Sequence, residues 1–396
     1  MTELFTSGPY SCGDYDPTTA SFDKDSLNLT GEEINLFCGV RNFYGISSAL
    51  ISLLGLIGNT FCLILLPKTG GAKSAIILLF TLGLYDIGFL VSSMVLKAIP
   101  SLTLIGHSTV VVSNVLSPAI FPLFLTAHLG AIYTTAAISV ERCLAITAPF
   151  RTRQWLTSRR IKLTTLVILF WSISFNLPRF LFLQATDYWE PYLNRSWIRL
   201  EPSSLSENVE FLNIYFAYLN TTFKFVIPIL LVIISNMVLL CCLRHRRNLF
   251  VRHVQVNGES CRSAVKDGRV TPMVLAVTWA FVLSHVFAVV QVFLNLQGPC
   301  SSPQWCITFN LVCDFIFLST SATNFLLYYA FGKKFRKLVQ VFFSTGRCGR
   351  ARQKSFRMSS RSTDPGVTEI CYNKISIEIK LNIISTIYAN QYNHQW

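Results

Sequence analysis

Charge is scarce in this chain. Of 396 residues only 14% are charged, and 52% are hydrophobic. A soluble protein of ordinary composition carries about a quarter charged residues. The imbalance argues against a soluble globular protein and for a membrane protein. Acidic residues are the rarer kind, 20 against 34 basic, which leaves a net charge of +14. Catalytic signatures are missing as well. No Ser/His/Asp arrangement, zinc motif or phosphate loop stands on a soluble domain, so neither enzyme chemistry nor a cofactor is expected. No internal repeat of the transporter kind is evident. The opening stretch "MTELFTSGPYSCGDYD" is acidic and polar, whereas a cleavable signal peptide starts basic and turns apolar. Membrane insertion is therefore expected to be directed by the first hydrophobic helix.

What the chain does have is seven long apolar stretches, at about 43–66, 75–97, 112–145, 162–183, 212–243, 271–295 and 307–331. Each is near the roughly 20 residues a helix needs to cross the hydrocarbon. In lipid they must be helical, because every backbone polar group needs an internal partner. The expected fold is an all-α, seven-transmembrane helix bundle over 43–331. An extracellular tail precedes it (1–42), an amphipathic juxtamembrane helix follows (332–343), and a largely disordered cytoplasmic tail ends the chain (344–396).

Lys and Arg collect in alternate loops: Lys68 and Lys73; Arg151 to Lys162; Arg244 to Arg269; then Lys333 to Arg361. By the positive-inside rule the N-terminus is outside. Two sequons, at Asn28 and Asn194, fall on the outer face, where glycosylation is possible. A third, at Asn220, falls inside span five, where a glycan is not expected. The positive charge thus reads as topology and attraction to anionic lipid, and no nucleic-acid partner is expected.

Short motifs narrow the class. "ERCLAITAPF" resembles the Asp-Arg-Tyr-x-x-Ile-x-x-Pro-Leu signature of rhodopsin-like G-protein-coupled receptors, with Glu141, Arg142, Ile146, Pro149 and Phe150 matching and Cys143 in place of Tyr. Span one carries Asn59 in "GLIGN", span two Asp86 in "LGLYD", span four Trp171 and span five Pro228 in "FVIPILL". Span seven carries "NFLLYYAFGKKF", similar to Asn-Pro-x-x-Tyr followed by an eighth helix; Asn324 and Tyr328 match, and Phe325 stands in place of Pro. The likeness covers about residues 43–343. Within the family, "SPAIFPLFLTAHLGAIYTTAAISVER", "FNLPRF", "FLNIYFAY" and "FGKKF" resemble invertebrate FMRFamide-type neuropeptide receptors. The resemblance implies a multi-pass plasma-membrane receptor that takes an extracellular, amidated peptide and passes its binding to a heterotrimeric G protein.

The departures from the family pattern are specific. In span six, "SHVF" puts His285 near the usual Trp and Phe287 in place of Pro. Asn236 replaces the deep Tyr of span five. Ser117 replaces the outer Cys of span three, and the second extracellular loop has no Cys to pair with it. A Pro kink normally assists the outward swing of helix six, so its absence bears on that motion.

The same resemblance assigns roles. Glu141 holds Arg142 at rest and releases it when the inner face opens; Pro149 then presents Phe150 to an apolar pocket of the G protein. The plainer reading of the pair is an Arg snorkelling at the interface beside a Glu. Asp86, mid-span, must neutralise or find partners, for which Asn59, Ser321 and Asn324 are the candidates. Ala131 lacks the hydroxyl that often helps bind sodium there, so a polar water-filled cluster is expected. Asp314 lies about three turns outward of Asn324 and is a candidate counter-ion for a ligand guanidinium, which a carboxylate accepts bidentately. The alternative is a structural pair with Lys97 or Lys224. Lys224 itself either pairs with Asp314 or meets an acidic ligand group. His128, His285, Phe124, Gln291 and Asn295 complete an expected ligand cavity, with ordinary helix packing as the rival reading.

Four of the twelve Cys fall outside: Cys12, Cys38, Cys300 and Cys306. "GPCSSPQWC" points to a Cys300–Cys306 bridge, with a Cys38 link to that loop as the rival. Cys62, Cys143, Cys241, Cys242 and Cys313 read as small apolar residues. Phe335, Leu338, Val339 and Phe342 recur at helical spacing among Lys and Arg, which reads as a basic helix on the inner leaflet. Cys348 after it is a palmitoylation candidate. The Ser-rich stretch "RQKSFRMSSRSTD" has little to pack; receptor kinases and arrestin are the partners expected there, phosphorylation recruiting regulators.

Two other classes remain. One is a receptor for a different small ligand. The other is a seven-span transporter, which calls for interrupted helices near the midplane, and neither span two nor span seven reads as interrupted. An opsin is disfavoured because span seven holds no Lys for a Schiff base. An amine receptor is disfavoured because Phe124 stands where that group has Asp.

Overall fold

The computed structural model describes residues 31–70, 72–101, 107–190, 195–257, 279–287, 289–290, 303–332 and 334–343. The long helices are α1 (Gly31–Leu65), α2 (Lys73–Ser93), α3 (His107–Thr147), α4 (Ser158–Asn176) and α5 (Ile227–Asn257). Of span six, 279–287 and 289–290 are described and helical; we call this α6. Span seven is α7 (Pro303–Ala322) followed by α8 (Asn324–Phe331), and 334–343 form a further helix, α9. Among the described residues five segments are long and apolar enough to cross a bilayer, and α7 with α8 would make a sixth.

Helix α3 is the centre of the bundle, packed against α2, α4 and α5, while α1 rests on α2 and α7. An inner core joins Leu78, Leu82, Ile138 and Tyr328, and a middle one joins Phe89, Leu90, Phe124 and Leu318. The outward faces carry Leu54, Leu166, Phe170 and Ile234, all exposed. On a soluble protein such a surface would be an interaction patch; here it is the face that lipid covers. Residues Phe335 and Val339 of α9 are buried in the inner core, and Arg336 donates to the Ala330 carbonyl at 2.8 Å.

The helix of span one starts at Gly31, ahead of the expected boundary at 43, although the apolar part begins at Asn42. Acidic Glu32 and Glu33 suit a helix N-terminus, so the helix can extend beyond the span. Spans two and seven, expected to be uninterrupted, are both irregular. Span two passes into a π turn at Met94–Ala98 before Ile99–Ser101. Span seven bends by 46° between Ala322 and Asn324. The bend needs no Pro. Thr320 and Thr323 hydroxyls donate to the carbonyls of Ile316 and Thr320, a back-bonding that bends helices. At the bend, span one comes close: a Cβ on Gly55 would sit 2.9 Å from the Ala322 backbone.

Sequence periodicity also missed two features on the outer side. Strands β1 (Leu183–Glu190) and β2 (Arg195–Pro202) form an antiparallel hairpin in register from Leu183↔Pro202 to Glu190↔Arg195. Span five opens with two π segments, Asn213–Leu219 and Thr221–Val226, before α5.

The sequons at Asn28 and Asn194, the expected tail from 344 with Cys348, and Cys300 lie outside the described residues. Cys306 is placed on α7 by its backbone alone. Asn220, in the third sequon, is occupied within the protein: its amide oxygen accepts from Arg179 Nη2 at 2.8 Å. Cys62 and Cys313 are buried, and Cys143, Cys241 and Cys242 are unpaired thiols with some exposure.

Candidate functional site

Three polar constellations run along the inside of the bundle. At its inner end, Glu141 is 3% exposed, and its Oε2 lies 3.1 Å from Arg142 Nε. Its other oxygen accepts from the Ser74 hydroxyl at 2.7 Å. Ser74 lies in the first turn of α2, and nothing in its local sequence marks it; only the packing of α2 on α3 brings it to the acid. Thr152 Oγ1 donates to the carbonyls of Leu144 and Ala148, both at 2.7 Å, and folds the chain sharply after α3. Pro149 starts the short helix Pro149–Trp155, a position suited to its missing N–H. Phe150, beside it, is 87% exposed. It is a large apolar side chain almost fully exposed at the charged end of the bundle.

The second constellation sits mid-bundle. Asp86 is 2% exposed, and Asn324 Nδ2 donates to its Oδ2 at 2.6 Å. Asn59 Nδ2 donates to the Ser321 carbonyl at 3.0 Å. The two Asn thus tie spans one and two to both sides of the span-seven bend. A cavity of about 40 Å³ adjoins them, lined among others by Asp86, Ser321, Asn324, His128 and His285. That is room for roughly three waters. Tyr328 is buried on the inner side, its ring edge-on to Phe335 at 6.1 Å.

The third constellation is outward. Lys97 Nζ lies 2.6 Å from Asp314 Oδ2 and 4.9 Å from the centroid of the Phe124 ring, which stacks on Phe89 at 4.8 Å. Of the two partners foreseen for Asp314, Lys97 is the one in contact. Lys224 makes no ion pair among the described residues; its amine lies 5.2 Å from the neighbouring Phe225 ring. Lys97 and Lys224 each sit on a π turn. His128 and His285 stand between this level and the Asp86 cavity, 6.0 Å apart and bordered by Phe317. Gln291 and Asn295 lie outside the described residues.

Two further groups were not legible in the sequence. Asn114 Nδ2 donates to the Ile198 carbonyl at 2.9 Å and fastens the hairpin to α3, near Ser117 where the family carries its Cys. Arg179 is buried at the end of span four, donating to the Tyr215 hydroxyl at 3.1 Å as well as to Asn220. "FNLPRF" was visible as a motif, but its partners lie some 40 residues away.

Comparison with known proteins decides the family. The sequence model of the 7 transmembrane receptor (rhodopsin family) matches residues 58–328. The chain belongs to that family. Membership makes it a multi-pass protein of the plasma membrane, in a family of receptors and not of enzymes. Among curated proteins this rhodopsin-family chain is 27% identical to the FMRFamide receptor of Drosophila melanogaster, over 77% of the chain and 54% of that protein. It therefore spans about half the length of that relative. It is 25% identical to the probable G-protein coupled receptor frpr-1 of Caenorhabditis elegans, over 75% of the chain and 78% of the relative. With the FMRFamide peptide receptor frpr-18 of the same nematode the identity is 23%, over 76% and 68%.

Proposed function

We propose that this family member is a receptor for an extracellular neuropeptide, an amidated FMRFamide-like peptide, and that it transmits agonist binding to a heterotrimeric G protein. The observation that carries the ligand class is the likeness to two proteins named as FMRFamide receptors, each extending over about three quarters of the chain. The agonist would favour an open inner state by binding it better than the closed one. The Glu141–Arg142–Ser74 contact is the latch that such opening releases, and Phe150 is the side chain offered to the G protein.

In this reading the peptide's Arg meets Asp314. Lys97 occupies Oδ2, and Oδ1 accepts no hydrogen bond among the described residues, so a ligand guanidinium would share or displace the Lys97 contact. His128, Phe124 and His285 form the floor beneath it, with Lys224 at the side.

The test is expression with promiscuous and selective G proteins and a panel of amidated peptides, Arg-Phe-amides included. A response to one or more is expected. Silence across the panel, with surface expression confirmed, removes the peptide reading.

A further inference from the structure

His128 on α3 and His285 on α6 face one another across the bundle, ring centroids 6.0 Å apart and planes at 50°. Both are at least nine-tenths buried. Both line the cavity that also holds Asp86 and Asn324. His285 is oriented by its own helix: Nδ1 lies 2.8 Å from the Phe281 carbonyl, which can only accept, so Nδ1 carries the proton. Nε2 is then a bare lone pair, buried and without a hydrogen-bond partner among the described residues. His128 makes no hydrogen bond among the described residues.

His285 is held in the way metal-ligating imidazoles are held. Such a His characteristically donates its second ring N–H to a backbone carbonyl, which fixes the tautomer and aims the free nitrogen. With metal–nitrogen bonds of about 2.0–2.1 Å, two imidazoles sharing one ion have centroids about 5–6.5 Å apart, and the observed separation falls inside that range. The cavity supplies space for the waters that complete a coordination shell.

We propose that His128 and His285 bind a divalent transition-metal ion of the zinc class, bridging α3 and α6. Imidazole nitrogen suits Zn²⁺ and Cu²⁺ and not Ca²⁺ or Mg²⁺. Only two side chains ligate directly, since no cluster of three His, Cys, Asp or Glu able to hold a metal occurs among the described residues. Cavity waters fill the remaining positions, and Asp86 offsets the charge from the same cavity. Lys224 opposes it: its amine lies 5.2 Å from the Phe225 ring, which in turn borders the His285 ring at 6.3 Å. The site is thus reversible and modulatory. An ion that ties α3 to α6 disfavours any state in which the two helices part, and by linkage an agonist that parts them expels the ion. The site does not depend on which peptide, if any, the receptor takes.

The experiment uses the full chain in lipid nanodiscs with His107, His245, His253 and His394 changed to Gln, which leaves both buried rings untouched. Electron paramagnetic resonance with one equivalent of Cu²⁺ is expected to show coupling to two imidazole nitrogens. Zn²⁺ is expected to compete for the same site and to raise Tm. At a free concentration a hundred times Kd, the unfolding equilibrium shifts about a hundredfold. His285→Phe on this background, a ring of similar volume, should abolish both effects, and Lys224→Met should tighten Zn²⁺. Absent or single-nitrogen Cu²⁺ coupling on this background, its thermal unfolding transition matching that of the unsubstituted chain, overturns the proposal. Binding that survives His285→Phe overturns it equally.

Discussion

Neighbouring residues on a helix point about 100° apart, so Arg142 alone is a poor clamp for Glu141. The hydroxyl of Ser74, 2.7 Å from the buried carboxylate, fixes it instead. Ser74→Ala removes a hydrogen bond to a charged group, a loss of about 1.5–3 kcal/mol from the resting arrangement. The expected outcome is higher ligand-independent signalling at matched surface expression; unchanged basal signalling would deny Ser74 a part in the latch. The Lys97–Asp314 pair makes opposite predictions for its two members. Asp314→Asn should weaken an Arg-ended peptide by about 1.5–3 kcal/mol while sparing its citrulline analogue. Lys97→Met frees the carboxylate and should strengthen the Arg-ended peptide. Equal losses for Arg and citrulline peptides in a dose–response comparison would sink the counter-ion role.

Helices and strands carry their own tests. Gly55 lets α1 meet the span-seven bend, and a methyl there would press on the Ala322 backbone, which cannot rotate away. Overpacking of this kind costs about 1–3 kcal/mol, so Gly55→Ala should lower Tm in detergent, and an unchanged Tm would mean that the two helices can separate freely. The hairpin β1–β2 is held to α3 by Asn114, at the level where the family uses a disulfide. Asn114→Ala should cost about 0.5–1.5 kcal/mol locally and speed amide exchange in 183–202, with the bundle unaffected. These elements also show where periodicity stops being informative. A π turn adds a residue to the turn, so the faces on either side of Met94–Ala98 and Thr221–Val226 fall out of step with the 3.6-residue period. The bend at Thr323 was hidden for a related reason. Its usual sign, Pro, is replaced by Phe325, and Thr back-bonding and the Asn324 bond to Asp86 stand in its place.

For the whole molecule, the sequence by itself determined the class. Scarcity of charge, seven apolar stretches and alternating basic loops follow from the bilayer, which acts on each span separately and therefore leaves its mark in local composition. The inner motif around Arg142 and the positions of Asn59, Asp86 and Asn324 were legible for the same reason: each is a polar residue placed where lipid forbids one without a partner. Which partner each takes was not written locally. Asp314 had two Lys within plausible reach, and only the packing of spans two and seven selected Lys97. Ser74 with Glu141, Asn114 with the hairpin, and His128 with His285 join residues far apart in sequence, and no period or motif encodes such meetings. The tertiary structure decided them, because which side chains meet depends on how helices rotate, bend and approach, and these are set by the contacts of all the spans together.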